Sequence, residues 1–508
     1  MELQLKRNQI NCFESVLHTT VQQEETAEMI VPDACPDILR IADTEGIACI
    51  RNKEAKTGVA QIDGFVKTTV LYVPEGTVGL QRLPLQIPFS CKIEHAGIVP
   101  QMVLSVHPTV ASAETRMMNP RKILVKVEVC LYVEGYVPDT IELCTEVEAD
   151  PTASLQTLQK EQTIWMVTGV GEKPFQFSDQ MNLPSGKPEV EEILKYRLFP
   201  SCDDAKMIGT KLIFKGEVVI RIFYRSVAGS LQTVEYTLPY SQMMEMKGVE
   251  ENASCSVSVV SADVSIGVES DGEGSSFEFS MGFLAQAQAW EERHITLLSD
   301  LYSTSCLAVP QVQNYFFHGL REVGENRKSN RETVETTVLP KSVLDAYVMT
   351  GAVAQMQEEE NKVFSTETKV MVLYLGEDNQ IYEASMRVPV EERIIMEETK
   401  TCICRISCPG EVFATPTPSG LEVRYPIDFS FQILTDLRMS GIIDVTIEEG
   451  EEIKRPSMVV RMTEAGDQIW DLAKQYASTM EDICAANALE DHDAELPVGR
   501  LILIPHKR

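Results

Sequence analysis

Cys402, Cys404 and Cys408 share one parity in a run that reads as a strand, so their thiols would project from one face. Thiolates gathered in this way suit zinc. The C-x-C-x-x-x-C spacing is not that of a structural zinc site, however, and no neighbouring histidine completes four ligands. They read as core thiols, and no metal is assigned. Thr168-Gly-Val-Gly-Glu-Lys173 offers two glycines and a lysine but lacks the Lys-Ser/Thr pair of a phosphate loop, and it reads as a turn. The seven histidines are dispersed, without a His-x-x-x-His pair. No nucleophile sits in a recognisable setting with a base, and no paired acids do. The expectation is a binding protein with no catalytic residue and no cofactor.

Composition narrows the partners. At 508 residues the chain has room for several domains, each able to bury a core. A formal charge of −31 excludes a phosphate-tracking surface, because nucleic-acid affinity comes from clustered Lys and Arg, and an anionic membrane repels such a chain. No apolar run approaches the ~18–20 residues of a membrane helix. The opening Met1-Glu-Leu-Gln-Leu-Lys-Arg lacks the apolar stretch of a secretion signal. Thirteen scattered cysteines, an odd number, fit reduced thiols better than a disulfide framework. The expected location is the cytoplasm, with no direct membrane insertion.

Self-comparison organises the rest. Pro32, Pro36, Gly64 and Tyr72 recur as Pro184, Pro188, Gly216 and Tyr224, each 152 positions on, and Ile38 and Ile41 recur as Val190 and Ile193. A third copy is worn. Thr368-Lys-Val-Met-Val-Leu-Tyr374 aligns with the segments ending in Tyr72 and Tyr224, and Pro88, Pro239 and Pro389 follow each tyrosine at nearly constant distance. The third copy lacks the Pro-x-x-x-Pro lead-in and the glycine.

Each copy carries alternating or β-branched runs, as in Lys122-Ile-Leu-Val-Lys-Val-Glu-Val129, Phe277-Glu-Phe-Ser-Met-Gly-Phe283 and Ile427-Asp-Phe-Ser-Phe-Gln-Ile433. Pro74-Glu-Gly76, Asp271-Gly-Glu-Gly274 and Gly376-Glu-Asp-Asn379 punctuate them. The expected fold is mainly β, three tandem β-sandwich-like repeats followed by a small βααβ domain. The first repeat is expected over 1–150, a linker and second repeat over 151–297, and a linker and degenerate third repeat over 298–447. The linkers, near 151–181 and 298–338, are expected to hold short helices and joining strands. The acidic stretch Glu448–Pro456 reads as a solvated hinge.

The last segment, 457–508, changes pattern. Ile469, Leu472, Ala473 and Tyr476 fall at i, i+3, i+4 and i+7 and bury one helical face. Asp467 suits the N-cap of that helix, and Ser478-Thr-Met-Glu481 reads as the capping box of a second. Asn487-Ala-Leu489 follows, then a strand at Leu501-Ile-Leu-Ile-Pro505.

The Gly466-Asp-Gln-Ile-Trp470-Asp-Leu-Ala-Lys-Gln-Tyr476 core, the Asn487-x-Leu489 and the Gly499-Arg-Leu-Ile-Leu-Ile-Pro505 ending together resemble a LysM domain. Trp470, Tyr476 and Asn487 are then structural. The resemblance implies a shallow binding groove between the loop at Gly466, Asp467, Gln468 and Ile469 and the stretch holding Glu490, Asp491 and Leu496. With Val31-Pro-Asp-Ala-Cys-Pro-Asp-Ile38 and the repeats, the chain as a whole resembles the SipL family of sporulation proteins, whose repeats are SPOCS domains. That resemblance implies an adaptor of spore-coat morphogenesis in the mother cell, at the forespore periphery. Its LysM domain would bind a coat-morphogenetic ATPase on the forespore surface. The alternative is a peptidoglycan or other N-acetylglucosamine-glycan binder of cortex or wall, although Glu490, Asp491, Asp493 and Glu495 replace the neutral polar residues of a sugar-binding loop.

Overall fold

A computed structural model describes residues 3–76, 79–270, 275–359, 361–396, 401–448, 456–489 and 496–506. The 271–274 turn, the 449–455 part of the expected hinge, and Glu490, Asp491, Asp493 and Glu495 lie outside these.

The first copy comprises β1 (Leu3–Ile30), β2 (Ile38–Lys56), β3 (Val59–Pro74), β4 (Gln81–Glu94), β5 (Val103–Asn119) and β6 (Lys122–Ala149). The second repeats them as β7 (Leu155–Asn182), β8 (Val190–Ile208), β9 (Lys211–Ser226), β10 (Leu231–Glu245), β11 (Ser254–Ser270) and β12 (Ser275–Ser303). The third contains β13 (Leu307–Val334), β14 (Pro340–Thr350), β15 (Ala354–Glu358), β16 (Asn361–Gly376), β17 (Ile381–Ile395), β18 (Thr401–Ser407), β19 (Phe413–Thr417) and β20 (Gly420–Glu448). The chain closes with β21 (Met458–Met462), α1 (Ile469–Tyr476), α2 (Met480–Asn487) and β22 (Leu501–Pro505).

In each copy an antiparallel meander faces a second sheet. The order β2-β3-β4 recurs as β8-β9-β10 and as β14-β16-β17, while β1-β6-β5 recurs as β7-β12-β11 and as β13-β20-β18. Alternation of apolar residues fills the space between the two sheets. Val66, Val70 and Tyr72 of β3 meet Val125, Val127 and Val129 of β6, and Val218, Ile220, Ile222 and Tyr224 meet Phe277, Phe279 and Met281 in the second copy. The third copy packs Val370, Val372 and Tyr374 against Ile427, Phe429 and Phe431.

The repeated residues take the same places. Gly64 pairs with Ile50 and Phe89, and Gly216 pairs with Cys202 and Tyr240. A Cβ on Gly64 would stand 2.3 Å from the Cys49 carbonyl oxygen and 2.4 Å from the Phe89 ring, so glycine is required by close approach rather than by a turn. The Tyr72 hydroxyl donates to the Pro36 carbonyl and that of Tyr224 to the Pro188 carbonyl, both at 3.0 Å. The lead-in therefore supplies the acceptor for a buried phenol. In the third copy Val338 stands at the position of the second proline, and the buried Tyr374 hydroxyl has no partner among the described residues.

The expected linkers are mostly long strands, the first preceded by a short 3-10 helix at Pro151–Ala153. The first and last strands of each copy pair along their whole length, from Leu3↔Ala149 to Ile30↔Lys122 in the first copy. In the second the ladder runs from Ser303↔Leu155 to Ser276↔Asn182, and in the third from Leu307↔Glu448 to Val334↔Leu421. The expected boundary at 297/298 thus falls inside β12, and the linkers are mostly β7 and β13. Thr168-Gly-Val-Gly-Glu-Lys173 is likewise not a turn but part of β7, where Gly169 leaves room for Met246 and Val249. Third strands stop near Tyr136, Trp290 and Leu434, and beyond these points each copy continues as a two-stranded ribbon. The three ribbons share one apolar core, with Ile10 and Leu143 from the first, Ile164 and Leu297 from the second, and Tyr315, Phe317 and Met439 from the third.

The thirteen cysteines form no disulfide among the described residues. Cys402 and Cys404 lie in the third sandwich core, where burial pushes their thiols up to about 11 and about 12. Among the described residues no helix is long and apolar enough to cross a membrane.

Candidate functional site

The C-terminal module folds as the sequence orders it, β21-α1-α2-β22, with β21 and β22 antiparallel. Ile469, Leu472 and Ala473 of α1 and Ile483 of α2 bury themselves against Ile502 and Ile504 of β22. Asn487 ties α2 to the sheet: its amide nitrogen donates to Ile483 O and Leu503 O at 2.7 Å, and its Oδ1 accepts from Leu503 N at 2.8 Å. Tyr476 packs half-buried on the same core.

Both expected caps shift by one residue. The N-cap of α1 is Gln468, in extended backbone and without a side-chain cap. Asp467 instead braces the turn before it, accepting from Glu464 N at 2.9 Å and pairing with Arg461 at 3.2 Å. The N-cap of α2 is Thr479, whose Oγ1 accepts from Asp482 N at 3.1 Å, while the Ser478 hydroxyl donates to the Pro505 carbonyl.

Two of the expected groove residues are core. Ile469 is 2 % exposed and Leu496 8 %, so helical periodicity, not the groove, accounts for Ile469. Gly466 and Gln468 are exposed and Asp467 half-buried, whereas Glu490 and Asp491 lie outside the described residues.

Trp470 does more than fill the module. Its ring meets that of Tyr302 edge-on with centroids 4.9 Å apart, and its indole N–H donates to Asp300 Oδ2 at 2.9 Å. Lys474, one turn along α1, reaches both Asp300 oxygens at 2.6 Å. The Tyr302 hydroxyl donates to Ser478 O at 2.8 Å, and Leu158 adds apolar contact. Asp300 and Tyr302 belong to β12 and Leu158 to β7, so the module is seated on the far end of the second ribbon.

A second constellation joins the three copies. Asp43, Lys195 and Asp345 are separated by the offsets of the tyrosines, 152 and then 150 positions, and so are Glu45, Arg197 and Tyr347. Each trio follows a bulge repeated in every copy, between Ile41 and Asp43, Ile193 and Lys195, and Val343 and Asp345. A bulge re-aims the side chains beyond it, and here all six meet. Lys195 pairs with Asp43, with Asp345 at 2.6 Å and with Glu45 at 3.3 Å. Arg197 forks onto Asp345 through both terminal nitrogens and pairs with Glu45 through Nε. The Tyr347 hydroxyl donates to Asp43 at 2.7 Å.

Burial alone would push the Asp345 carboxyl up, but Arg197 and Lys195 outweigh it and hold the group well below the carboxylate range. Three carboxylates within 4.8 Å of one another have the spacing of a cation site, and Lys195 and Arg197 supply that positive charge. Beside this junction Ala42, Leu71, Leu194, Phe223 and Leu373, again equivalent positions, form an apolar plug.

One family model, described as SipL, SPOCS domain, matches residues 37–118 and 189–269, and another, described as LysM domain, matches 464–505. The chain carries two SPOCS domains and a LysM domain. Together they fit a sporulation protein with a glycan- or protein-binding LysM module. No curated protein and no solved structure matches the chain. The SPOCS matches span β2–β5 and β8–β11, leaving out the long first and last strands. The third copy repeats the same two sheets outside the matched segments.

Sequence reading missed the six-residue junction, although its signal was present: opposite charges at equivalent positions 43 and 195 of aligned SPOCS copies. It also missed a cleft of about 340 Å³ where the three copies meet, lined by Tyr132, Glu134, Ser256 and Arg405. There burial pushes the Glu134 carboxyl up, with Gln288 Nε2 at 3.0 Å and the Tyr132 hydroxyl at 3.2 Å. His107, 2.9 Å from Arg405, is held neutral by burial and by that guanidinium. Two hydrogen-bonded groups, Tyr132–Glu134–Gln288 and Arg405–His107, thus lie side by side across the copies.

Proposed function

We propose that this protein is a non-enzymatic adaptor of spore-envelope assembly, acting in the mother cell at the forespore periphery, whose LysM domain docks a coat-morphogenetic protein, an ATPase by family resemblance. The observation that carries the reading is the seat of the module. Trp470 and Lys474 both hold Asp300, so the binding module is presented in a fixed orientation at the end of a rigid β body. Such rigid presentation suits an assembly joint.

The LysM match keeps a glycan as the second reading. Against it stand the acidic loop sequence and the burial of Ile469 and Leu496 on the side where a sugar groove would run. The test compares the full chain with a chain lacking 457–508, measuring recruitment of the purified coat-morphogenetic ATPase beside sedimentation with peptidoglycan. Loss of ATPase recruitment on deletion, with no peptidoglycan binding by the full chain, supports the adaptor. Retained recruitment moves docking to the SPOCS repeats, and peptidoglycan binding by the module favours the glycan reading.

A further inference from the structure

Strand alternation gives every sandwich sheet an inner and an outer face, and in an isolated copy the outer face would be left to water. Here three outer faces meet. Tyr132 and Glu134 of β6 alternate with Leu131 and Val133, which fill the first core, and Ile403 and Arg405 of β18 alternate with Cys402 and Cys404 in the third. With Ser256 of β11 from the second copy they enclose the cleft of about 340 Å³, and Val323 and Glu325 of β13 stand exposed at its rim. That volume lies at the small end of the ~300–1,000 Å³ of ligand sites. It has room for a metabolite, not for a partner chain. The charges of the cleft face each other without pairing. Among the described residues Arg405 hydrogen-bonds only to the neutral His107, through Nη1, so its Nη2 and Nε keep their donors. Glu134, 3 % exposed, accepts from Gln288 and Tyr132 and has no cation in ion-pair contact among the described residues. The guanidinium is near enough to draw the Glu134 carboxyl down against burial, yet the two do not touch. Around Lys195 and Arg197, by contrast, opposite charges close directly on one another.

We infer that this cleft is a site for a free apolar α-amino acid, its carboxylate forked onto Arg405, its ammonium turned to Glu134 and Glu325, and its side chain against Val323, Ile403 and Phe431. Charge decides the class. A plain carboxylate or phosphate would be opposed by two glutamates, and a metal ion or polyamine by the arginine. A zwitterion satisfies both sides, and the open edge of a guanidinium is shaped for a carboxylate. The wall selects the side chain, because Ile403 and Phe431 are buried and offer no polar atom. Gly324 lets the Phe431 ring lie there, since a Cβ at that position would stand 2.3 Å from it. Such a ligand is unrelated to what the LysM domain docks. Bound where three copies meet, it would clamp them together and stabilise the body.

The test titrates the purified full chain with alanine, valine, leucine, methionine and phenylalanine, read by isothermal calorimetry and by the thermal midpoint. At least one should bind saturably, with a Kd below about 1 mM, and raise the midpoint. The amide of that amino acid, which lacks the carboxylate, and its N-acetyl derivative, which lacks the ammonium, should each bind about tenfold or more weakly, because a site built for a polar group rejects the analogue without it. These comparisons need no variant. Arg405→Gln should weaken the amino acid by about tenfold or more, and Val323→Trp, at the exposed rim where folding is indifferent to the change, should weaken it severalfold. Equal binding of the N-acetyl derivative would make the cleft an anion site and overturn the inference. Binding that survives both Arg405→Gln and Val323→Trp would place the amino acid elsewhere, with the same consequence. No heat and no shift of the midpoint with any of the five would leave Arg405 a structural cation between the copies and sink it outright.

Discussion

Asp300 of the second ribbon accepts the indole N–H of Trp470 and, with the same carboxylate, holds Lys474. Replacing Asp300 by Ala removes both contacts without touching the LysM core. The module should stay folded but detach from its seat, at a cost of about 1–2 kcal/mol for a partly exposed, charge-assisted pair. Hydrogen exchange should rise at residues 155–158 and 300–302 while α2 remains protected. Trp470→Ala should both detach and unfold the module, losing about 3–5 kcal/mol.

The junction of the three copies makes a different forecast. Lys195→Met leaves Asp43, Glu45 and Asp345 facing Arg197 alone, and breaking a buried ion pair from one side costs about 3–5 kcal/mol. Calorimetry should show the body's whole transition moving to lower temperature, because the cation serves all three copies. Pairing the change with Asp43→Leu should recover part of the loss. A shift confined to the second copy, read by limited proteolysis, would contradict the shared junction.

Acidity probes the same residues. A carboxyl whose pKa is held below its ordinary 3.8 in the folded state adds stability that is fully present above the ordinary value. That stability is lost as pH falls toward the depressed folded pKa. Unfolding midpoints in denaturant should therefore fall on acidification below about pH 4. In Asp345→Asn the starting stability should be lower and this part of the acid limb flatter.

Tyr72, Tyr224 and Tyr374 occupy equivalent buried positions but differ in one hydrogen bond. Tyr72→Phe and Tyr224→Phe should each cost about 1 kcal/mol, the net value of a hydrogen bond whose partner carbonyl is left behind. Tyr374→Phe should be neutral or slightly stabilising, since its hydroxyl has no partner among the described residues. Urea midpoints of the three variants check the order, and an equal loss in all three would deny the role given to Pro36 and Pro188.

Most of the sandwich architecture was legible because its markers are chemically irreplaceable. Gly64 and Gly216 admit no side chain, and Pro36 and Pro188 place a carbonyl under a buried phenol. The ribbons were not legible. Gln156 to Gln162 in β7 is largely exposed on both faces, and such a strand carries no alternation to read. Its partner lies more than a hundred residues away, and pairing of that kind leaves no local trace. The caps were displaced for a related reason. Side-chain type suggested Asp467 and Ser478, but Asp467 is taken by the turn before it, at Glu464 N, and Ser478 by a tertiary partner, Pro505 O, while the backbone turns at the next residue. Ile469 and Leu496 were assigned to a groove by resemblance, and burial returns them to the core.

The charge alternation at the junction bears on how such a chain arose and how it can be altered. An assembly made from the first copy alone would crowd Asp43 and Glu45 of every member together, and one made from the second would crowd Lys195 and Arg197, each opposed by like-charge repulsion. The copies are therefore no longer interchangeable parts. Their order along the gene works as a wiring scheme, and a deletion or shuffle that keeps every strand intact would still fail for want of the right neighbour.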